Sequence, residues 1–134
     1  MAVTHNQVET LFDHLRTGHS ERFFAKVAPD VRWLVMGTHP LAGEYLSKED
    51  FLAHTFHRLN KLLRNGVILN VQNIIVQGDM AAVEMVSTSI ANNGMNFNNQ
   101  YCWIVRFKND KIVEVRAYLD SALVQKLIDE NEKH

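Results

Sequence analysis

One cysteine, two prolines and six glycines are all that this chain of 134 residues holds of the residues that staple, stop or loosen a backbone. Cys102 alone excludes an intrachain disulfide and a cysteine-based zinc cluster. No linker, low-complexity tract or internal repeat is present. No stretch approaches the ~20 apolar residues that span a bilayer. Residues 1–5 lack the basic segment and apolar run of a signal peptide, so a reduced, cytoplasmic setting without membrane contact is the expectation. An excess of charge is missing as well. Fourteen basic residues face 15 acidic ones, a balance that disfavours nucleic-acid partners. There is no Gly-rich phosphate loop, no Gly-x-Ser-x-Gly elbow and no dinucleotide fingerprint, so no cofactor is expected. What remains is 46% hydrophobic and 22% charged, the composition of a globular protein. The length fits one domain, residues 1–134, able to bury a core without staples.

Helical spacing of Val8, Leu11, Phe12 and Leu15 predicts a first helix over 4–16, ended by Gly18. Ser20 caps a short second helix carrying Phe23, Phe24 and Val27, and Pro29 stops it. Residues 31–35 read as a strand and 37–43 as a rigid loop. Ser47 opens a third helix with an inward stripe of Phe51, Leu52, Thr55, Phe56, Leu59, Leu62 and Leu63, closed at Asn65-Gly66. The period then changes to two, with strands over 67–77, 80–91, 96–108 and 111–119. A last helix covers 121–132. Segregated helices and an antiparallel meander define an α+β fold and exclude a doubly wound parallel sheet.

Two-residue turns at Asn93-Gly94 and Asn109-Asp110 set an expected register. They produce three cross-strand rows: Glu84–Trp103–Arg116, Val86–Tyr101–Tyr118 and Thr88–Asn99–Asp120. One face then gathers aromatic rings, two phenols, an arginine and two carboxylates, as a small-ligand pocket does. The other face would be apolar, with Val83, Met85, Cys102, Ile104, Val113, Val115, Ala117 and Leu119. The plain alternative is a solvated face on which Glu84 and Arg116, roughly 10 Å apart, pair across Trp103.

Trp33 with the loop Gly37-Thr38-His39-Pro40-Leu41-Ala42-Gly43, the triplet Asn99-Gln100-Tyr101 and the tail from Asp110 to Asp120 resemble the nuclear transport factor 2-like superfamily, in its SnoaL-like, ketosteroid isomerase-like branch. The likeness covers nearly the whole chain. It implies a cone-shaped α+β barrel, with N-terminal helices packed on a curved, mostly antiparallel sheet and a short C-terminal helix. It also implies a deep pocket for a small apolar or polycyclic ligand, and a homodimer formed through the outer sheet face. SnoaL-like cyclases place a base aspartate at the end of the last strand, where Asp120 stands. Limonene epoxide hydrolase has an aspartate near there with an arginine and a second carboxylate, related parts that Arg116 and Glu84 could play. Ketosteroid isomerase has a tyrosine on its first helix, and this chain has none there.

Asp120 is thus the candidate general base, since a carboxylate in an apolar pocket is shifted toward neutral pH. Tyr118 or Tyr101 would stabilise a developing oxyanion. The competing reading of Asp120 is a helix cap. His39 and His54 could shuttle protons at a pocket mouth. Trp33, Glu84, Asn99 and Trp103 complete the candidate lining. His54 and His57 have metal-ligand spacing without a supporting third ligand, so no metal is expected. Two functions follow: an acid–base isomerase, cyclase, dehydratase or epoxide hydrolase, or a non-catalytic binding or dimerisation module. In the latter, the apolar face of Val83, Met85, Ile104 and Val115 would be the interface.

Overall fold

The computed structural model describes residues 2–132, so Met1 of the N-terminal stretch lies outside the described residues. Helix α1 (His5–Asp13) starts at Thr4, whose hydroxyl accepts from Gln7 N while Gln7 returns a bond to Thr4 N. This reciprocal cap satisfies two otherwise orphaned amides. Helix α2 (Ser20–Phe24) is followed by strand β1 (Val27–Val35) and the short β2 (Gly43–Tyr45). The run 48–62 is one helical path in three parts: α3 (Lys48–Phe51), a π-helical turn (Leu52–Phe56) and α4 (His57–Leu62). Ser47 caps it through Asp50 N at 3.0 Å. Strands β3 (Leu69–Gln77), β4 (Met80–Ser87), β5 (Ser89–Ile90), β6 (Asn96–Phe97), β7 (Gln100–Lys108) and β8 (Lys111–Leu119) precede helix α5 (Ser121–Asn131).

The main sheet has the order β2-β1-β8-β7-β4-β3 and is antiparallel except where β1 runs parallel to β8. β5 and β6 form a separate two-stranded sheet. The α+β architecture is therefore as expected, with helices on a curved sheet. No helix among the described residues is long and apolar enough to cross a membrane.

Pro29 does not end a helix. It sits inside β1, in the stretch where pairing with β8 is interrupted between Val27 and Arg32. A missing amide costs nothing where no ladder bond is made.

The expected register is off by one residue on both sides of β7, for two different reasons. The first hairpin turns through three residues, Asn92, Asn93 and Gly94, with Ala91 N bonded to Met95 O. Within this turn the Asn93 side-chain Oδ1 accepts from Met95 N. Asn131 and Glu130 of α5 hold Asn93 from outside. Glu84 consequently faces Cys102, and Met85 faces Tyr101. In the second hairpin the two-residue turn is present, with Asn109 and Asp110 both at positive φ. Val113 is then unpaired, because Phe107 faces Ile112 but Arg106 faces Glu114. That bulge turns every later β8 side chain to the opposite face.

The sheet's inner face therefore carries Val83, Met85, Tyr101, Trp103, Val115 and Ala117, all buried under α1, α2 and the 48–62 path. Phe12 meets Phe23 at 4.9 Å, and both rings reach Trp103 at 6.1 and 6.0 Å. Leu41, Leu59, Leu62, Phe97, Val124 and Leu127 form a second cluster under α5.

Two fixtures join α5 to the rest. Asn99 is fully buried, and its Oδ1 accepts from Gln100 N and Asp120 N while its Nδ2 donates to Asp120 O. Gly37, at φ +116°, lies so close to Ser121 that any Cβ there would collide with the Ser121 hydroxyl. We expect Asn99→Ala to remove the acceptor of two part-buried amides, Gln100 N and Asp120 N, and lower stability by about 1–2 kcal/mol, read by urea denaturation. An unchanged midpoint would show that water replaces the side chain.

Candidate functional site

A hollow lies between the inner sheet face, the 48–62 path and α5. β1 contributes Trp33 and Val35, β7 contributes Tyr101 and Trp103, and β8 contributes Ala117 and Leu119. Phe51, Thr55, Phe56 and Leu59 close it from the helical side, and Val124 from α5. The volume open to the centre of a water molecule is ≈ 40 Å³, enough for a few waters or, with side-chain adjustment, a small ring system. The walls are apolar and aromatic. Trp33 stacks on Phe51 at 3.7 Å and meets Trp103 edge-on at 5.2 Å.

The π-helical turn matters here because it sits at this wall. One extra residue per turn changes which side chains face inward, and such turns are frequent at functional sites. Thr55 and Phe56 belong to it and line the hollow. The Thr55 hydroxyl donates to Phe51 O at 2.6 Å, a bond that returns the polar group to its own helix.

Of the ten candidate residues, the structure brings Trp33, Tyr101 and Trp103 together. Tyr118, Arg116 and Glu84 fall on the outer face. Tyr118 is 43% exposed opposite Cys102, Arg116 pairs with Glu114 at 3.2 Å, and Glu84 accepts from Asn73. Their expected convergence with Tyr101 is corrected by the three-residue turn and the Val113 bulge. The same correction moves Val83, Met85 and Val115 from the expected apolar outer face into the core, leaving Ile104 outside. Asp120 is exposed and is the N-cap of α5, accepting from Leu123 N at 3.3 Å. It does not line the hollow, although its neighbour Leu119 does. His39 is buried in its loop with both ring nitrogens engaged: Nδ1 accepts from Leu41 N and Nε2 donates to Met36 O. His54 is exposed on the π-helical turn, bonded to Asp50 O and stacked near Tyr45. Asn99 braces α5 rather than facing the hollow. No group of three or more His, Cys, Asp or Glu able to hold a metal occurs among the described residues.

The wall residues missing from the expected site had a partial signal. Phe51, Thr55 and Phe56 were in the inward stripe of the third helix, but nothing in that stripe says which residues meet a cavity.

Tyr101 is the one titratable group in the wall. Burial pushes its phenol well above the usual value, with Asn99 and Ser87 pulling it part of the way back. In the unfolded chain the phenol ionises near pH ~10, whereas in the folded chain it stays protonated. Its contribution is therefore fully present below about pH 10 and lost as pH rises above that, by up to ~1.4 kcal/mol per pH unit. Denaturation at pH 8 and 11 should show Tyr101→Phe losing less stability over this range than the parent. Equal losses would mean that the hydroxyl is solvated.

The sequence comparisons agree with this architecture. The SnoaL-like domain family matches residues 8–115. Dimerizing cyclase phiC from Fungal sp. (strain ATCC 74256) is 29% identical over 113 residues, covering 81% of this chain and 50% of phiC. The chain thus spans about half the length of that relative. Among solved structures, an NTF2-like protein from Burkholderia thailandensis superimposes with a TM-score of 0.78 at 21% identity, over 92% of this chain and 95% of the other. TerC, co-crystallized with polyporic acid, gives a TM-score of 0.71 at 22% identity, over 92% and 96%. The chain belongs to the SnoaL-like domain family, on the nuclear transport factor 2-like fold.

Proposed function

We propose that this chain takes a small, neutral, apolar molecule into the hollow and, as a cyclase- or isomerase-type protein, promotes its rearrangement without a cofactor. The observation that carries this reading is the aromatic hollow itself. Sites of this kind bind by burying apolar surface and orient by a few polar groups. The name of the phiC relative supports the cyclase side. Among the described residues, the wall contains no carboxylate, imidazole or amine. Confinement and hydrogen bonding are therefore the means available inside it, and holding reacting atoms in one geometry is itself a source of rate. A role for Asp120 as general base requires a substrate that reaches past Leu119 to the α5 cap.

Both tryptophans of the chain line the hollow, so intrinsic fluorescence reads its occupancy. Naphthalene should quench it saturably. Ala117→Leu should abolish the quench by filling the space, at a stability cost of about 1–3 kcal/mol that circular dichroism would follow. Asp120→Asn keeps a good cap and should leave binding intact. Unaltered binding in Ala117→Leu would sink the pocket, and loss of binding in Asp120→Asn would put that carboxylate against the ligand.

The homodimer expectation shifts to a different set of residues. The outer sheet face presents Glu84, Val86, Cys102, Ile104, Arg116 and Tyr118, apolar groups bordered by charges of both signs. Such a face suits pairing with a second copy. Light scattering at micromolar concentration should show a dimer that Ile104→Asp converts to a monomer. A parent protein that is already monomeric would end this reading.

A further inference from the structure

Leu41 lines the hollow but belongs to neither a helix nor a strand. It sits in the loop between β1 and β2, where Thr38 and Pro40 are exposed while His39 and Leu41 are buried. At this point the wall is one loop thick. Two side chains hold the Leu41 backbone in place. Leu41 N donates to His39 Nδ1 at 3.1 Å, and Leu41 O accepts from the Tyr45 hydroxyl at 2.8 Å. The start of the loop is fixed independently, because Met36 N donates to Ala117 O and Gly37 lies against Ser121.

The polarity of these bonds leaves the His39 ring one protonation state. A backbone amide can only donate, so Nδ1 presents its lone pair to Leu41 N. A carbonyl can only accept, so Nε2 carries the proton that reaches Met36 O at 3.0 Å. The bonded ring is therefore neutral, and a second proton would sit on Nδ1, facing the Leu41 amide proton. Among the described residues His39 belongs to no ion pair that would hold it charged. The carboxylates on the flanking elements are bonded elsewhere, Glu44 of β2 to Arg32 and Asp120 to Leu123 N at the start of α5. On the Tyr45 side stand His54, whose ring lies 6.2 Å away, and the Arg58 charge. We propose that His39 is a positioning residue that latches Leu41 into the wall of the hollow, and that protonating its ring releases the latch and opens the loop. The latch is closed at neutral pH and loosens as pH falls through the range around ~6.5 where imidazoles take up a proton. This deepens the pocket reading and rests on it for its use: a ligand would exchange faster in acid than at neutral pH.

Both tryptophans line the hollow, so acrylamide quenching of their fluorescence reads its openness without a ligand. Quenching in the full parent chain should rise as pH falls from 7.5 to 5.5, with circular dichroism showing the fold intact. His39→Asn keeps an acceptor for Leu41 N and takes up no proton, and asparagine readily makes this bond to the amide two residues on. Its quenching should stay low and flat, which separates His39 from the other six histidines. Tyr45→Phe frees Leu41 O and should raise quenching at both pH values. Nitrogen-15 NMR of the imidazoles should find the His39 proton on Nε2 at pH 7.5, a reading that stands even if His39→Asn folds poorly. A proton on Nδ1, a flat profile in the parent, a parent that unfolds outright at pH 5.5, or a rise that persists in His39→Asn would overturn the latch. Naphthalene binding at pH 7.5 reads the hollow separately. A failed latch leaves that binding intact, and a hollow that binds nothing leaves the quenching profile and the NMR reading to decide the latch.

Discussion

Strand alternation admits no half measures, and in this molecule one unpaired residue decides what that alternation exposes. Val113 bulges out of the β7–β8 ladder, and every β8 side chain beyond it is turned over. Ala117 and Leu119 face inward as a result, and Arg116 and Tyr118 face out. Had the ladder continued without the bulge, a guanidinium and a phenol would lie beneath α1 and the 48–62 path. Burying that charge would cost several kcal/mol. The bulge thus separates an uncharged interior from a charged exterior on a strand whose sequence alternates both.

The interior that results is almost entirely aromatic and aliphatic. Phe12, Phe23, Phe24, Trp33, Phe51 and Trp103 touch edge-to-face or stacked. Such contacts fix ring orientations more tightly than aliphatic packing does. Rigid walls suit a cavity, because a soft one would collapse onto its own space. The cost is Trp33 Nε1, a buried donor without a hydrogen-bond partner. It is tolerated within a stability margin that is small for any domain.

Much of the architecture was legible because it rests on local signals. The cap at Ser47, the type of each long element and the turn at Asn109-Asp110 could all be read from neighbouring residues. The site was less legible for a physical reason. Facing is a parity, and parity is lost with a single residue. The Asn93-Gly94 pair is a strong two-residue turn signal, yet Asn92 joins the turn because α4 supplies partners for it, Lys61 O for its side chain and Leu62 O for its amide. Nothing within ten residues of Val113 marks it as unpaired. Trp33, Tyr101 and Trp103 were recovered because large aromatics gain most from burial. Asp120 was ambiguous because the same carboxylate that suits a base also suits a helix start.

Gly37 and the far end of α5 have a joint mechanical consequence. At one end the helix start is jammed against the loop carrying His39 and Leu41. At the other, Arg58 grips Glu132 through two 2.7 Å contacts. A helix clamped at both ends behaves as a bar across a doorway: it bows or it holds, but it does not swing.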